Sequence, residues 1–211
     1  LRADQVLGLT FGRRAALNWR DQVSRAIGGG AVPMVSTFHS FCYGLLRTFA
    51  PHSDLPVSLN LLSGPEQQVR TRTLFAEAVA EGRVAWPSDL ADAVGTRGMT
   101  EEIRAVMART RTHAMEPQDL AALACAPSGN PLWSSIAVFM DEYLTVMDAA
   151  SVIDYSELIY RALLLVQGDD EVRRYLHTTF KAVYVDEYQD TDPGQILLLK
   201  DRKSTRLNSS H

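Results

Sequence analysis

The first fifty residues alternate twice between a short apolar run and an amphipathic helical pattern, and nothing else in the chain restricts its fold as strongly. Val6 to Phe11 is an apolar run of strand length. From Arg13 to Ile27, apolar residues recur at Ala15, Ala16, Trp19, Val23 and Ile27, with Arg and Asp opposite. That spacing makes one apolar helix face, and Gly28-Gly29-Gly30 ends it. Val32 to Thr37 is a second run; Phe38, Phe41, Cys42, Leu45, Leu46 and Phe49 then repeat at helical spacing. Runs apolar on both faces and linked through helices predict parallel strands of a doubly wound α/β sheet.

After Pro51 the pattern changes. Val57 to Leu62 reads as one more short strand. Ser63-Gly64-Pro65-Glu66 has a capping-box arrangement that opens a helix. From Gln67 to about Ala149 only helices are expected, broken near Gly82, Pro87, Gly98, Pro117 and Asn130-Pro131. Asp154 to Val166 is a helix with Leu158, Ile159, Ala162, Leu163 and Val166 on one face. Phe180 to Val185 is a strand, and Pro193 starts a last helix through Leu199. The expected organisation is therefore 1–55 α/β, 56–150 a helical insertion, and 151–200 a return to the sheet. The remaining stretch, 201–211 (DRKSTRLNSSH), lacks apolar periodicity and matches a translated sequencing adapter; it is read as a non-biological tail.

Composition excludes several classes. With 211 residues, 46% hydrophobic and 22% charged, the chain can bury a core, and it is neither disordered nor collagen-like. No apolar run reaches the roughly 18–20 residues of a membrane span, and no secretory signal is seen. Cys42 and Cys125 are too few for a disulfide framework or a zinc site, so the expected compartment is a reducing cytoplasm. A net charge of −4 does not announce a nucleic-acid binder. The basic residues are nonetheless 18 Arg against 3 Lys, and guanidinium forks suit phosphate.

The strongest chemical signal is Asp186-Glu187, directly after the last apolar strand. Ligands of parallel α/β sheets sit beyond the carboxyl ends of strands. Two carboxylates there suit Mg²⁺-assisted phosphoryl chemistry, one near the ion and one activating water. An acidic pair also commonly opens a solvated turn, but the longer string Val185-Asp186-Glu187-Tyr188-Gln189-Asp190-Thr191-Asp192 is more specific.

That string resembles motif II of UvrD/Rep-type superfamily 1 DNA helicases. Thr10-Phe11-Gly12-Arg13-Arg14-Ala15-Ala16 resembles their motif Ia, Thr37-Phe38-His39-Ser40-Phe41 the TFHSF block that follows, and Asp154 to Leu158 a DFxDLL-like element. Leu61 to Gln67 (LLSGPEQ) and the Arg-Arg variant look most like actinobacterial members. The resemblance implies a RecA-like P-loop NTPase motor domain using ATP and Mg²⁺ on single-stranded or partially duplex DNA, moving 3′ to 5′ in repair or recombination. By the same resemblance, Asp186 holds the Mg²⁺ of MgATP, Glu187 is the general base, and Gln189 belongs to the nucleotide site. Thr10, Phe11, Arg13, Arg14, Thr37, Phe38 and His39 line the DNA track, while Asp190 and Asp154 serve coupling. Trp19, by its place in the helical stripe, and Cys42 are expected in the core.

No Gly-Lys pair occurs in the chain, so it carries no GxxxxGK[ST] phosphate cradle. The expectation is an internal fragment of a longer motor, inactive alone. Three alternatives stay open: a subunit of a helicase–nuclease complex, paired with a second subunit; an inactive DNA-binding scaffold; and an unrelated Mg²⁺-dependent phosphohydrolase.

Overall fold

A computed structural model describes residues 1–28, 31–49 and 59–200, and the backbone of Leu207–Asn208. Gly29, Gly30, the first residues of the expected 57–62 strand and most of the 201–211 tail lie outside the described residues. The chain forms two compact units, one from Leu1–Leu55 with Leu158–His211, the other from Pro56–Glu157.

The first unit is built on a parallel sheet in the order β2-β1-β5-β6, with β1 at Val6–Thr10, β2 at Met34–Thr37, β5 at Ala182–Val185 and β6 at Leu207–Asn208. The expected strands are present but shorter at their ends. Phe11 leaves the sheet after β1. Pro33, which has no amide to donate to a ladder, precedes β2. Leu7 and Leu9 are fully buried on one face of β1. Gly8 lies on the other face, where an added Cβ would meet the Trp19 ring at 3.0 Å. Glycine is what lets the indole lie on the sheet.

Helix α1 (Arg13–Ile27) ends at Gly28 in the left-handed conformation, φ 70°, as the glycine run predicts. Arg20 Nη2 donates to the Val35 carbonyl at 2.8 Å, tying α1 to β2. Trp19 departs from the expectation of a core residue. It is half-buried: its ring packs closely on Gly8, and it lines two clefts, one with Ala15, Asn18, Gln22 and Asp186, the other with Val6, Gly8, Val23, Pro33, Val35 and Tyr184. Helix α2 (Phe38–Thr48) is capped by Thr37, whose Oγ1 accepts from the Ser40 amide at 3.1 Å. It buries Phe38, Phe41, Cys42, Leu45 and Leu46, the expected face.

Helix α8 (Asp170–Thr179) was not legible in sequence: it buries just Val172 and Leu176 among charged residues. Asp169 caps it, accepting from the Glu171 and Val172 amides. The last helix, α9, spans Pro193–Lys200.

The second unit is helical apart from the parallel pair β3 (Asn60–Leu61) and β4 (Val152–Ile153); β4 is an addition to the expected elements. Helix α3 (Gly64–Ala80) opens with the predicted capping box: the Ser63 amide donates to Glu66 Oε2 at 2.8 Å. Helix α4 (Arg97–Thr112) holds Gly98 in its first turn behind the Thr96 cap, so the break expected near Gly98 falls just ahead of it, after Ala93. Helix α5 (Pro117–Ala124) begins on its proline, and α6 (Leu132–Ala149) follows Pro131. Phe75, Ile103, Phe139, Met140 and Tyr143 form the core, with the Phe75 ring 4.8 Å from Trp86 and 5.1 Å from Phe139. Elsewhere in this unit, Arg111 Nε donates to Glu157 Oε2 at 2.6 Å, both side chains being buried. Among the described residues no helix is long and apolar enough to cross a membrane.

Candidate nucleotide and DNA-binding edge

The register of the sheet brings the predicted residues at the ends of β1, β2 and β5 to one edge. Thr10 pairs with Thr37, and Leu9 pairs with Val185. The carboxyl ends of β2, β1 and β5 are therefore level, and Thr37, Thr10 and Asp186 stand in a row. The Asp186 amide donates to the Leu9 carbonyl at 2.9 Å, so Asp186 is the first residue past the ladder on its strand. Asp186 lines a cleft of about 350 Å³ together with Ala15, Asn18, Trp19 and Gln22 of α1.

Glu187 is exposed and left-handed, at φ 51° and ψ 49°. A side chain rarely adopts that region. Among the described residues, the other non-glycine residues there, Ala114 and Ser151, lie one residue beyond the C-caps of α4 and α6, where it is ordinary. Glu187 instead follows a strand. Its carbonyl accepts from the Asp190 amide at 2.9 Å, and its carboxylate accepts from the Gln189 amide group. These bonds close a tight turn directly after the strand.

Past β1, Phe11 is just over one-third exposed and packs on Phe38, ring centroids 5.4 Å apart. Arg13 and Arg14 are exposed in the first turn of α1. Phe38 is fully buried, and Thr10 and Thr37 nearly so. Of the residues expected along a DNA track, Phe11, Arg13 and Arg14 are thus at the surface and His39 is half-buried. Thr10, Thr37 and Phe38 are interior: the sheet and the apolar face of α2 absorb them. Asp190 is exposed in the turn after Glu187. Asp154 belongs to the helical unit. It is buried there and caps α7 (Tyr155–Gly168), its Oδ1 accepting from the Ser156 and Glu157 amides at 3.0 and 2.9 Å.

The Asp192 carboxylate acts on two groups of α2, His39 and Cys42. Burial pushes the His39 imidazole below its ordinary pKa, opposed by the Asp192 carboxylate. Burial first, and the same carboxylate second, push the Cys42 thiol up to about 12. Asp192 also caps α9 reciprocally with Gln195: the Gln195 amide donates to Asp192 Oδ1 at 2.8 Å, and Gln195 Oε1 accepts from the Asp192 amide. Asp192 and Gln195 could have been found from their capping-box spacing. Asn18 and Gln22 could not, because only the packing of α1 sets them beside Asp186.

Among the described residues no group of three or more His, Cys, Asp or Glu side chains could hold a metal. A lone strand-end carboxylate beside an open cleft nevertheless fits Mg²⁺. That ion keeps several waters and takes its other oxygens from phosphate.

A family profile described as UvrD/REP helicase N-terminal domain matches residues 1–206. The ATP-dependent DNA helicase UvrD1 of Mycobacterium tuberculosis is 27% identical over 200 residues, covering 93% of this chain and 24% of that protein. The ATP-dependent DNA helicase PcrA of Bacillus subtilis is 23% identical over 196 residues, covering 92% of this chain and 24% of the relative. The chain spans about a quarter of the length of the curated relatives it matches.

Proposed function

Because the chain belongs to the UvrD/REP helicase N-terminal domain family, we propose that it forms part of the motor of an ATP-dependent DNA helicase. In this reading the α/β unit is a RecA-like motor domain and residues 56–150 are a helical insertion. The protein translocates 3′ to 5′ on single-stranded DNA in repair or recombination.

The observation that carries the proposal is the row of Thr37, Thr10 and Asp186 along one sheet edge, with Glu187 turned out beside it. Asp186, at the cleft wall, would hold Mg²⁺, which supplies charge neutralisation of the β- and γ-phosphates when bound. Glu187 accepts a proton from the attacking water, and Gln189 limits the positions its carboxylate can take. Phe11 offers a ring face to a base, and such stacking contributes about 1–3 kcal/mol. Arg13 and Arg14 contact phosphate. Asn18 and Gln22 face the nucleotide cleft.

The test uses the full-length protein. Wild type is expected to hydrolyse ATP faster when single-stranded DNA is added, and Glu187→Gln to lose hydrolysis while retaining DNA binding. The 211-residue chain, which has no Gly-Lys cradle, is expected to show no ATPase. DNA-independent hydrolysis that survives Glu187→Gln refutes the proposal.

A further inference from the structure

Thr10 ends the central strand, and the family resemblance places it on the DNA track. Its surroundings indicate another role. The side chain is 2% exposed, so no ligand reaches it without the sheet edge opening. A hydroxyl buried that deeply needs a hydrogen-bond partner, and Thr10 Oγ1 has one in Asp186 Oδ2, at 3.4 Å. The neighbouring hydroxyl in the row, that of Thr37, is engaged separately with Ser40 at the start of α2. Asp186 is thereby held to β1 twice, through its amide on the Leu9 carbonyl and through its carboxylate on Thr10. No other side chain among the described residues donates to that carboxylate.

We propose that Thr10 is a positioning residue for Asp186: its hydroxyl fixes the carboxylate so that one oxygen faces the cleft lined by Asn18 and Gln22. The inference rests on the reading of Asp186 as the Mg²⁺ ligand. Threonine suits the task because its branched side chain is stiff about χ1, and the strand fixes the backbone it stands on. Partners that orient a metal-binding carboxylate typically change metal affinity by 10–100-fold when removed.

The experiment compares wild type, Thr10→Val and Thr10→Ser in the full-length protein. Mn²⁺ binding in the presence of ADP is followed by electron paramagnetic resonance, with the Mg²⁺ concentration for half-maximal ATPase and nucleotide-free single-stranded DNA affinity measured alongside. Valine keeps the shape and removes the donor. The separation is long for a hydrogen bond, so the expected loss of Mn²⁺ affinity lies at the lower end, about tenfold, with a parallel rise in the Mg²⁺ requirement. Thr10→Ser keeps the wild-type affinity, and DNA affinity is unchanged in both. If Thr10→Val does not fold, Thr10→Ala takes its place. Wild-type Mn²⁺ affinity in the donor-free variant, or a loss of DNA affinity in its place, overturns the inference and leaves the helicase reading intact. Absence of ATPase and of nucleotide-dependent Mn²⁺ binding in wild type overturns both.

Discussion

Replacing Glu157 by leucine tests the polar core of the helical unit. Arg111 and Glu157 are each about one-twentieth exposed, and their contact is 2.6 Å long. Removing one partner of a buried ion pair costs about 3–5 kcal/mol, chiefly because the remaining charge keeps its desolvation penalty. Arg111 retains other partners in Glu157→Leu, among them Glu116 Oε2 at 2.8 Å and the Met115 carbonyl at 3.0 Å. The expected loss is therefore near the lower end, about 3 kcal/mol. Arg111→Met combined with Glu157→Leu replaces both charges by apolar groups and should recover most of that loss, to within about 1 kcal/mol of wild type. Urea unfolding in a Trp19→Phe background reads this locally, because the remaining tryptophans, Trp86 and Trp133, both lie in the helical unit. With a slope of about 2 kcal/mol/M, the single variant shifts the midpoint by roughly 1.5 M. A single variant costing under about 1 kcal/mol, or a double variant no more stable than the single, refutes the argument.

Other outcomes follow from the same packing. Phe75→Ala empties a site walled by Trp86 and Phe139 and should cost about 3–5 kcal/mol, read in the same titration. Cys42 is buried and its thiol stays protonated, whereas Cys125 is exposed. An aromatic disulfide reagent should titrate one thiol in the native chain and two in denaturant. His39 has a folded pKa below its ordinary 6.5. Its contribution to stability is then complete above that value and falls as the pH drops through it toward the folded one. His39→Gln should flatten that part of a stability profile taken between pH 5 and 8; an unchanged profile shows that burial of the imidazole is not its source.

How much of this was written in the sequence differs between the two units. Around the sheet, most elements could be read within a few residues, because each strand is a bounded apolar run and α1 and α2 carry one apolar stripe with a terminator or cap beside it. Ser63 and Glu66 announced α3 by spacing alone. Helix α8 and strand β4 escaped because each buries few side chains of its own and depends on a neighbour to complete its packing. The motif residues were also legible as a set, but not which of them reach solvent. Thr10, Thr37 and Phe38 are interior, while Phe11 and Arg13 beside them are not.

The chain's local chemistry thus determined where strands and helices begin, which carboxylates stand past the last strand, and which family the motifs resemble. Only tertiary structure decided that β1 lies between β2 and β5, and this one pairing sets Thr10 against Asp186 across 176 residues of sequence. The reason is physical. Periodicity and capping depend on neighbours within a turn or two, whereas the register of parallel strands is fixed by side chains packed from both faces of the sheet, and no local pattern records it.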